Sequence, residues 1–160
     1  MKKPVLAAFA LLSLSGFAAL AAAPGSDPLA LTGLVAHPLH LSFADLKAMP
    51  ATHVIATQMS GHGPVPLDCT GVSLAALLKQ AAPNFGDKRN ANLAHTLLFT
   101  GDDGYAVSLS IGEIDADYGK AAPLIATACG GKELDNQRLV VPSDSHAGRA
   151  IQGLVSIEVK

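Results

Sequence analysis

Tryptophan is absent from this chain, and its 160 residues include only two Tyr and five Phe. Rings are too few to build the stacked aromatic walls that hold sugars or single-stranded bases. Charge is scarce as well: 11 Lys and Arg stand against 13 Asp and Glu, a formal net charge of −2. No basic run follows Lys3, so nucleic acid, which is bound through arrays of cationic contacts to phosphate, is excluded as a partner. Low charge combined with 49% hydrophobic residues also excludes a disordered chain or a charged interaction tail. After the N terminus there is no apolar run of membrane-spanning length. A single globular domain with one core is the expectation.

The first residues have the anatomy of an export signal. Met1-Lys2-Lys3 is a short basic start, residues 5–14 (VLAAFALLSL) are uncharged and apolar, and Ala19-Leu20-Ala21 is a small-x-small cleavage site. The expected division is a signal peptide over 1–21, a leader over 22–28 and a domain over 29–160. The uncharged stretch 5–23 also has the length of an uncleaved anchor, against which Ser13, Ser15 and Gly16 count. Periplasmic location follows from the signal reading, with no stable membrane insertion after cleavage. Cys69 and Cys129, the only two cysteines, then lie in an oxidising compartment. They either pair, closing a loop of about 60 residues worth roughly 4 kcal/mol on the chain-entropy model, or stay as two buried thiols. Neither belongs to a CxxC redox motif.

Periodicity and punctuation predict about seven strands and three short helices, a sheet-dominated α+β fold. Strands are expected at 29–35, 52–58, 95–100, 105–108, 124–129, 138–141 and 155–159. Ser42 with Asp45, and Ser110 with Glu113, have capping-box spacing and start short helices. Val72, Leu74, Leu77, Leu78 and Ala81 recur at helical spacing up to Pro83. Gly101-Asp102-Asp103-Gly104 is a hairpin turn by composition. Loops are expected at 59–66 (MSGHGPVP), 84–94 and 142–148.

The order of motifs carries a resemblance. L-x-G-x-V at 31–35, L-S-x-x-D-L at 41–46, G-V-x-L-x-x-L-L at 71–78, G-x-D-G-Y-x-x-S-L at 101–109, G-G-x-x-L at 130–134, R-L-V-V-P at 138–142 and I-E-V at 157–159 together resemble the oxidoreductase molybdopterin-binding domain, the fold of the sulfite oxidases and of periplasmic methionine sulfoxide reductase catalytic subunits. The resemblance implies a mixed α+β fold with a cleft for a pterin. It also implies, in catalytic members, a molybdenum-ligating Cys in the loop after the strand matching 52–58. That loop here reads Gln58-Met59-Ser60-Gly61-His62-Gly63, without Cys. Asn136-Gln137 replaces the usual His-Gly pair before Arg138. Small exported relatives of this kind are similar to proteins that bind a metal-free pterin and signal to the periplasmic domain of a membrane-bound cyclic-di-GMP enzyme. A non-catalytic module for a pterin-like small molecule is therefore expected. Molybdopterin oxidoreduction with an unusual metal ligand is the alternative, and a ligand-free interaction protein the second.

Five residues are candidates for the cofactor site. Arg138 and Arg149 carry forked donors suited to a pterin carbonyl or a phosphate, and Asp144 can accept from pterin amino groups. Arg149 and Asp144 can equally pair with each other across their own loop. Tyr105 offers a ring and a hydroxyl near the site, or simply packs at the start of a strand. His62 lies in the 58–64 loop with Met59 three residues before it, a pair suited to a pterin or a soft metal such as copper, or to plain solvent exposure. No residues are assigned to catalysis. His37, His40, His53 and His95 lack paired spacing for a zinc site, and His146 lacks a nucleophile elbow to serve.

Overall fold

A computed structural model describes residues 27–160, so the expected signal peptide at 1–21 and most of the leader lie outside the described residues. Among the described residues, ten strands form two five-stranded sheets. The first contains β1 (Leu29–Gly33), β2 (Leu39–Leu41), β5 (Thr96–Gly101), β6 (Ala106–Ser110) and β10 (Leu154–Val159), in the order β2-β1-β10-β5-β6. The second contains β3 (Thr52–Ser60), β4 (Gly63–Ser73), β7 (Leu124–Cys129), β8 (Lys132–Val140) and β9 (Ile151–Gln152), in the order β3-β4-β7-β8-β9. All pairings are antiparallel except β1 with β10. This is the sheet-dominated α+β fold that the periodicity predicts.

Alternation along the strands places the core. Leu29, Leu31, Leu97, Phe99, Ile157 and Val159 of the first sheet share one buried cluster with Val72, Ile125, Leu139 and Ile151 of the second. The intervening residues Leu124, Ala126 and Val140 turn to a smaller cluster on the opposite face, with Cys69. β7 is apolar but for buried Thr127, because both its faces are covered. The helices α1 (Phe43–Ala48), α2 (Leu74–Ala81) and α3 (Ile111–Ile114) add Leu46, Leu74, Leu77, Ala81 and Ile111 to the main cluster. Both capping boxes form: Ser42 Oγ accepts from the Asp45 amide and Ser110 Oγ from that of Glu113, and each carboxylate returns to its cap. The 101–104 hairpin forms too, with Gly104 at φ +82° and its amide donating to the Gly101 carbonyl.

The second sheet corrects one expectation. Residues 59–66 are no loop: β3 runs to Ser60, turns over Gly61-His62, and pairs with β4 from Ser60–Gly63 to Thr52–Gly71 without a register shift. Pro64 and Pro66 argue against a strand, yet they are tolerated because β7 joins β4 only from Cys69 onward. Two residues apart, their nitrogens face the same side, so the missing donors fall where β4 has no second neighbour. β4 also takes Val72, and α2 starts two residues later with Ser73 as its cap. β8 begins at Lys132 rather than 138, and short β2 and β9 add to the expected strands.

Cys69 and Cys129 occupy directly opposed positions on β4 and β7 and are joined by a disulfide. Replacing both by Ser, or reducing the bond, lowers stability by about 4 kcal/mol on the loop-entropy model. Urea unfolding of the two forms checks it, and equal midpoints would show that the ladder alone fixes this register.

Candidate functional site

Beyond Cys69 the sheet splays. β7 ends at Cys129 and turns away over Gly130-Gly131, while the β3–β4 arm continues outward. The gap is a cleft of about 490 Å³, within the size range of small-molecule sites. Met59, Val65, Pro66 and Leu67 supply apolar surface, the Cys69–Cys129 pair and Gly130 lie at the point of splaying, and Gln58, Ser60, Asp68 and Arg138 supply polar groups.

The far rim is the segment after β8, and three contacts hold it. The Met59 amide donates to the Ser145 carbonyl (2.7 Å), Met59 also pairs with His146 in a parallel bridge, and buried Gln58 donates through Nε2 to the Val141 carbonyl (3.1 Å). Ala147 is thereby brought to the cleft. Gln137, fully buried, donates to the carbonyls of Asp27 (2.9 Å) and Leu154 (2.6 Å). These bonds join Asp27 and β10 to β8.

The two arginines differ sharply. Arg149 donates through Nε and Nη2 to both oxygens of Asp144 (2.9 and 2.6 Å) and through Nη1 to Glu113 (2.9 Å). Bonds to Asp144, then to Glu113, hold its guanidinium further above its already high range. In turn the Ser110 backbone amide, followed by the Arg149 guanidinium, holds the Glu113 carboxyl below the usual carboxylate range. Arg138 lies half-buried on β8 beside the cleft, and its buried Nε has no hydrogen-bond partner. An orphaned charged-group donor is costly in a folded protein, and here it belongs to a residue of the cleft wall.

Of the five candidate cofactor residues, Arg138 alone lines this cleft. Asp144 and Arg149 pair with each other. Tyr105 is half exposed and donates its hydroxyl to the Gly148 carbonyl (2.7 Å), bracing the rim from outside. His62 is exposed at the tip of the β3–β4 turn, its amide bonded to Ser60 Oγ (3.1 Å). The cleft takes Gln58, Met59 and Ser60 from the 58–64 segment and Arg138 and Ala147 from the 138–149 segment, as expected, but Tyr105 is outside its lining and a strand pair stands in place of the loop. Sequence reasoning missed Val65, Leu67, Asp68 and Ala147. The alternation of Val65, Leu67 and Cys69 was the available signal, masked by the prolines between them.

For a thiolate-held metal the donors do not fit. Both cysteines of the chain are bonded to each other, and among the described residues no group of three His, Cys, Asp or Glu side chains is placed to hold an ion. For the organic part of such a cofactor they do fit, through size, apolar walls and the unsatisfied Arg138 donor.

Comparison with known proteins follows the same lines. The family model of the oxidoreductase molybdopterin binding domain matches residues 22–160. Among solved structures, the sulfane dehydrogenase SoxCD from Paracoccus pantotrophus is similar, with a TM-score of 0.65 and 20% identity, over 82% of this chain and 37% of that one. The likeness is one of fold, and this chain spans little more than a third of that protein. No curated protein matches.

Glu113→Gln is expected to loosen the rim network and cost about 1 kcal/mol at neutral pH. Because the folded carboxyl is shifted down, its contribution is present above the ordinary glutamate pKa of about 4.3 and is lost as pH falls through the lower folded value. Urea midpoints followed downward from pH 7 should therefore separate the two proteins at neutral pH and converge as the pH falls through the folded value. A constant separation would place the stabilisation elsewhere.

Proposed function

Because this chain belongs to the oxidoreductase molybdopterin-binding domain family, we propose that its cleft binds a pterin without protein ligation of a metal, and that it serves as a binding module rather than an oxidoreductase. The observation that carries this reading is the composition of the cleft: an arginine donor without a partner beside apolar walls, and a disulfide in place of any free thiolate. A pterin offers a flat ring for the Met59, Val65 and Leu67 surface and a carbonyl for Arg138. Bound molybdopterin would add oxygen-atom and electron transfer at its metal, and that chemistry asks for a soft thiolate. Gln58 and the Met59–Ser145 contact keep the two walls at a fixed distance, so the ligand meets a preformed slot.

The signal-like N terminus and the disulfide support export to the periplasm. There the liganded module would present its rim to a membrane partner; the periplasmic domain of a cyclic-di-GMP enzyme is the candidate that the resemblance supplies.

Calorimetric titration with a tetrahydropterin tests the reading. Saturable binding is expected, and Arg138→Ala should weaken it at least about tenfold by removing a charge-assisted contact while leaving the unfolding midpoint unchanged or higher. Absence of binding, or equal affinity in the variant, would sink the assignment. Native mass spectrometry of protein purified from its own source separates the alternative: a retained molybdenum-pterin mass returns the chain to the oxidoreductases.

A further inference from the structure

β3 stands at the edge of the second sheet, and among the described residues it is the longest edge strand, nine residues against five, three and two for β6, β2 and β9. Natural edges are blunted by charge, proline or a bulge. Thr52–Ser60 contains no Lys, Arg, Asp, Glu or Pro and pairs with β4 without a register shift. Near its middle Ile55 is 75% exposed, the most of any large hydrophobic among the described residues. Its neighbour strand fixes the direction of its free backbone groups. Pro64 and Pro66 have no N–H and stand opposite Met59 and Thr57, so these pairs exchange no ladder bonds. By the two-residue repeat, the amides and carbonyls of His53, Ile55, Thr57 and Met59 point away from β4. The Met59 amide is taken by the Ser145 carbonyl (2.7 Å), whereas among the described residues nothing takes up the other three.

We propose that this open lane, from His53 to Thr57, pairs with the same lane of a second copy of the chain, antiparallel about a two-fold axis at Ile55. In that register Ile55 meets the partner's Ile55 and His53 meets the partner's Thr57, each pair exchanging two backbone hydrogen bonds, so every open donor finds an acceptor. The two Ile55 side chains cover each other on one face, and on the other Val54 meets the partner's Ala56, both half-buried in the single chain. No like charges are opposed, because the strand carries none and His53 is already hydrogen-bonded to Asp68 (2.6 Å). The lengths agree as well. Ser145 and His146 occupy the lane beside Met59, and the residue that would need that place, the partner's Ala51, lies just after Pro50 and before β3 begins. Match in length, polarity and side-chain character with itself selects a second copy over a strand of another protein. The contact is short, so association is weak and reversible. None of residues 52–57 lines the cleft, so this pairing stands or falls independently of pterin binding.

Sedimentation equilibrium of the folded protein should show a monomer–dimer equilibrium below about 1 mM. Thr57→Pro and Ile55→Lys should each weaken it at least about tenfold. Proline at 57 removes an open donor and no ladder bond, as Pro66 does opposite it, so the circular dichroism and urea midpoint of that variant should stay close to those of the parent; Ile55→Lys decides alone if they do not. Hydrogen exchange followed by NMR reads the register: at dimer-forming concentration the amides of His53, Ile55 and Thr57 should exchange at least about tenfold more slowly than in dilute protein. A monomer at every concentration up to about 1 mM, a dimer undiminished in a correctly folded variant, or a dimer in which those three amides stay unprotected would overturn the proposal.

Discussion

The pairing of β4 with two different neighbours over two different lengths is the constraint from which the site follows. β3 accompanies β4 along nine residue pairs, Thr52–Gly71 to Ser60–Gly63, whereas β7 joins only over Cys69–Ser73. A sheet whose strands end together has no cleft of this kind. Here the β3–β4 arm overshoots β7, and a cavity opens at the step. The disulfide lies at the first opposed pair after the step, where a ladder under no cross-link would fray most readily. The Gly130 amide donating to the Asp68 carbonyl (2.7 Å) closes the same corner from the backbone side.

Two arginines eleven residues apart show how partners decide role. Arg149 meets two carboxylates, one on its own loop and one on α3, so its charge is spent on holding the segment 144–149 in place. Asp144 is largely buried in that pair, while the Glu113 and Arg149 side chains keep a third or more of their surface, which makes the network more a positioning device than a large source of stability. The Tyr105 hydroxyl on Gly148 and the Met59 amide on Ser145 fasten the two sides of the same segment. Arg138, one strand position from fully buried Gln137, has a donor that none of these groups reaches. The rim is anchored by the saturated arginine, and the unsatisfied one stands at the cleft wall.

How much of this was legible beforehand follows from the range of the interactions concerned. Capping boxes at Ser42 and Ser110 and the Gly101–Gly104 hairpin are local, and they formed as the residues predict. The family motifs brought the fold with them. β4 was lost because Pro64 and Pro66 are breakers in any local reading, and only the absence of a second neighbour makes them acceptable. Val72 fits a helical stripe as well as a strand, and the sheet won because Val72 pairs with Ile125 across the ladder. At the site, Arg138 was found from its motif. Tyr105, Asp144, Arg149 and His62 are near in sequence pattern, but whether a polar side chain faces a ligand or a neighbour depends on contacts that span the chain, such as Arg149 to Glu113.

Placement of cysteine decides which chemistry the cleft carries. In the segment Gln58–Gly63 a thiol would stand beside the cavity with no sulfur opposite it, free to ligate. On β4 and β7, the two cysteines stand opposite each other and are joined in a disulfide. The cross-link fixes the step in the sheet and so the cavity itself, while withdrawing the soft donors that a bound metal needs. What remains available in the oxidised protein is shape, apolar surface and one arginine N–H, which suit an organic ring with a carbonyl. Geometry and redox state are thereby coupled: the bond that shapes the cleft is also the bond that decides whether sulfur is offered to whatever enters it.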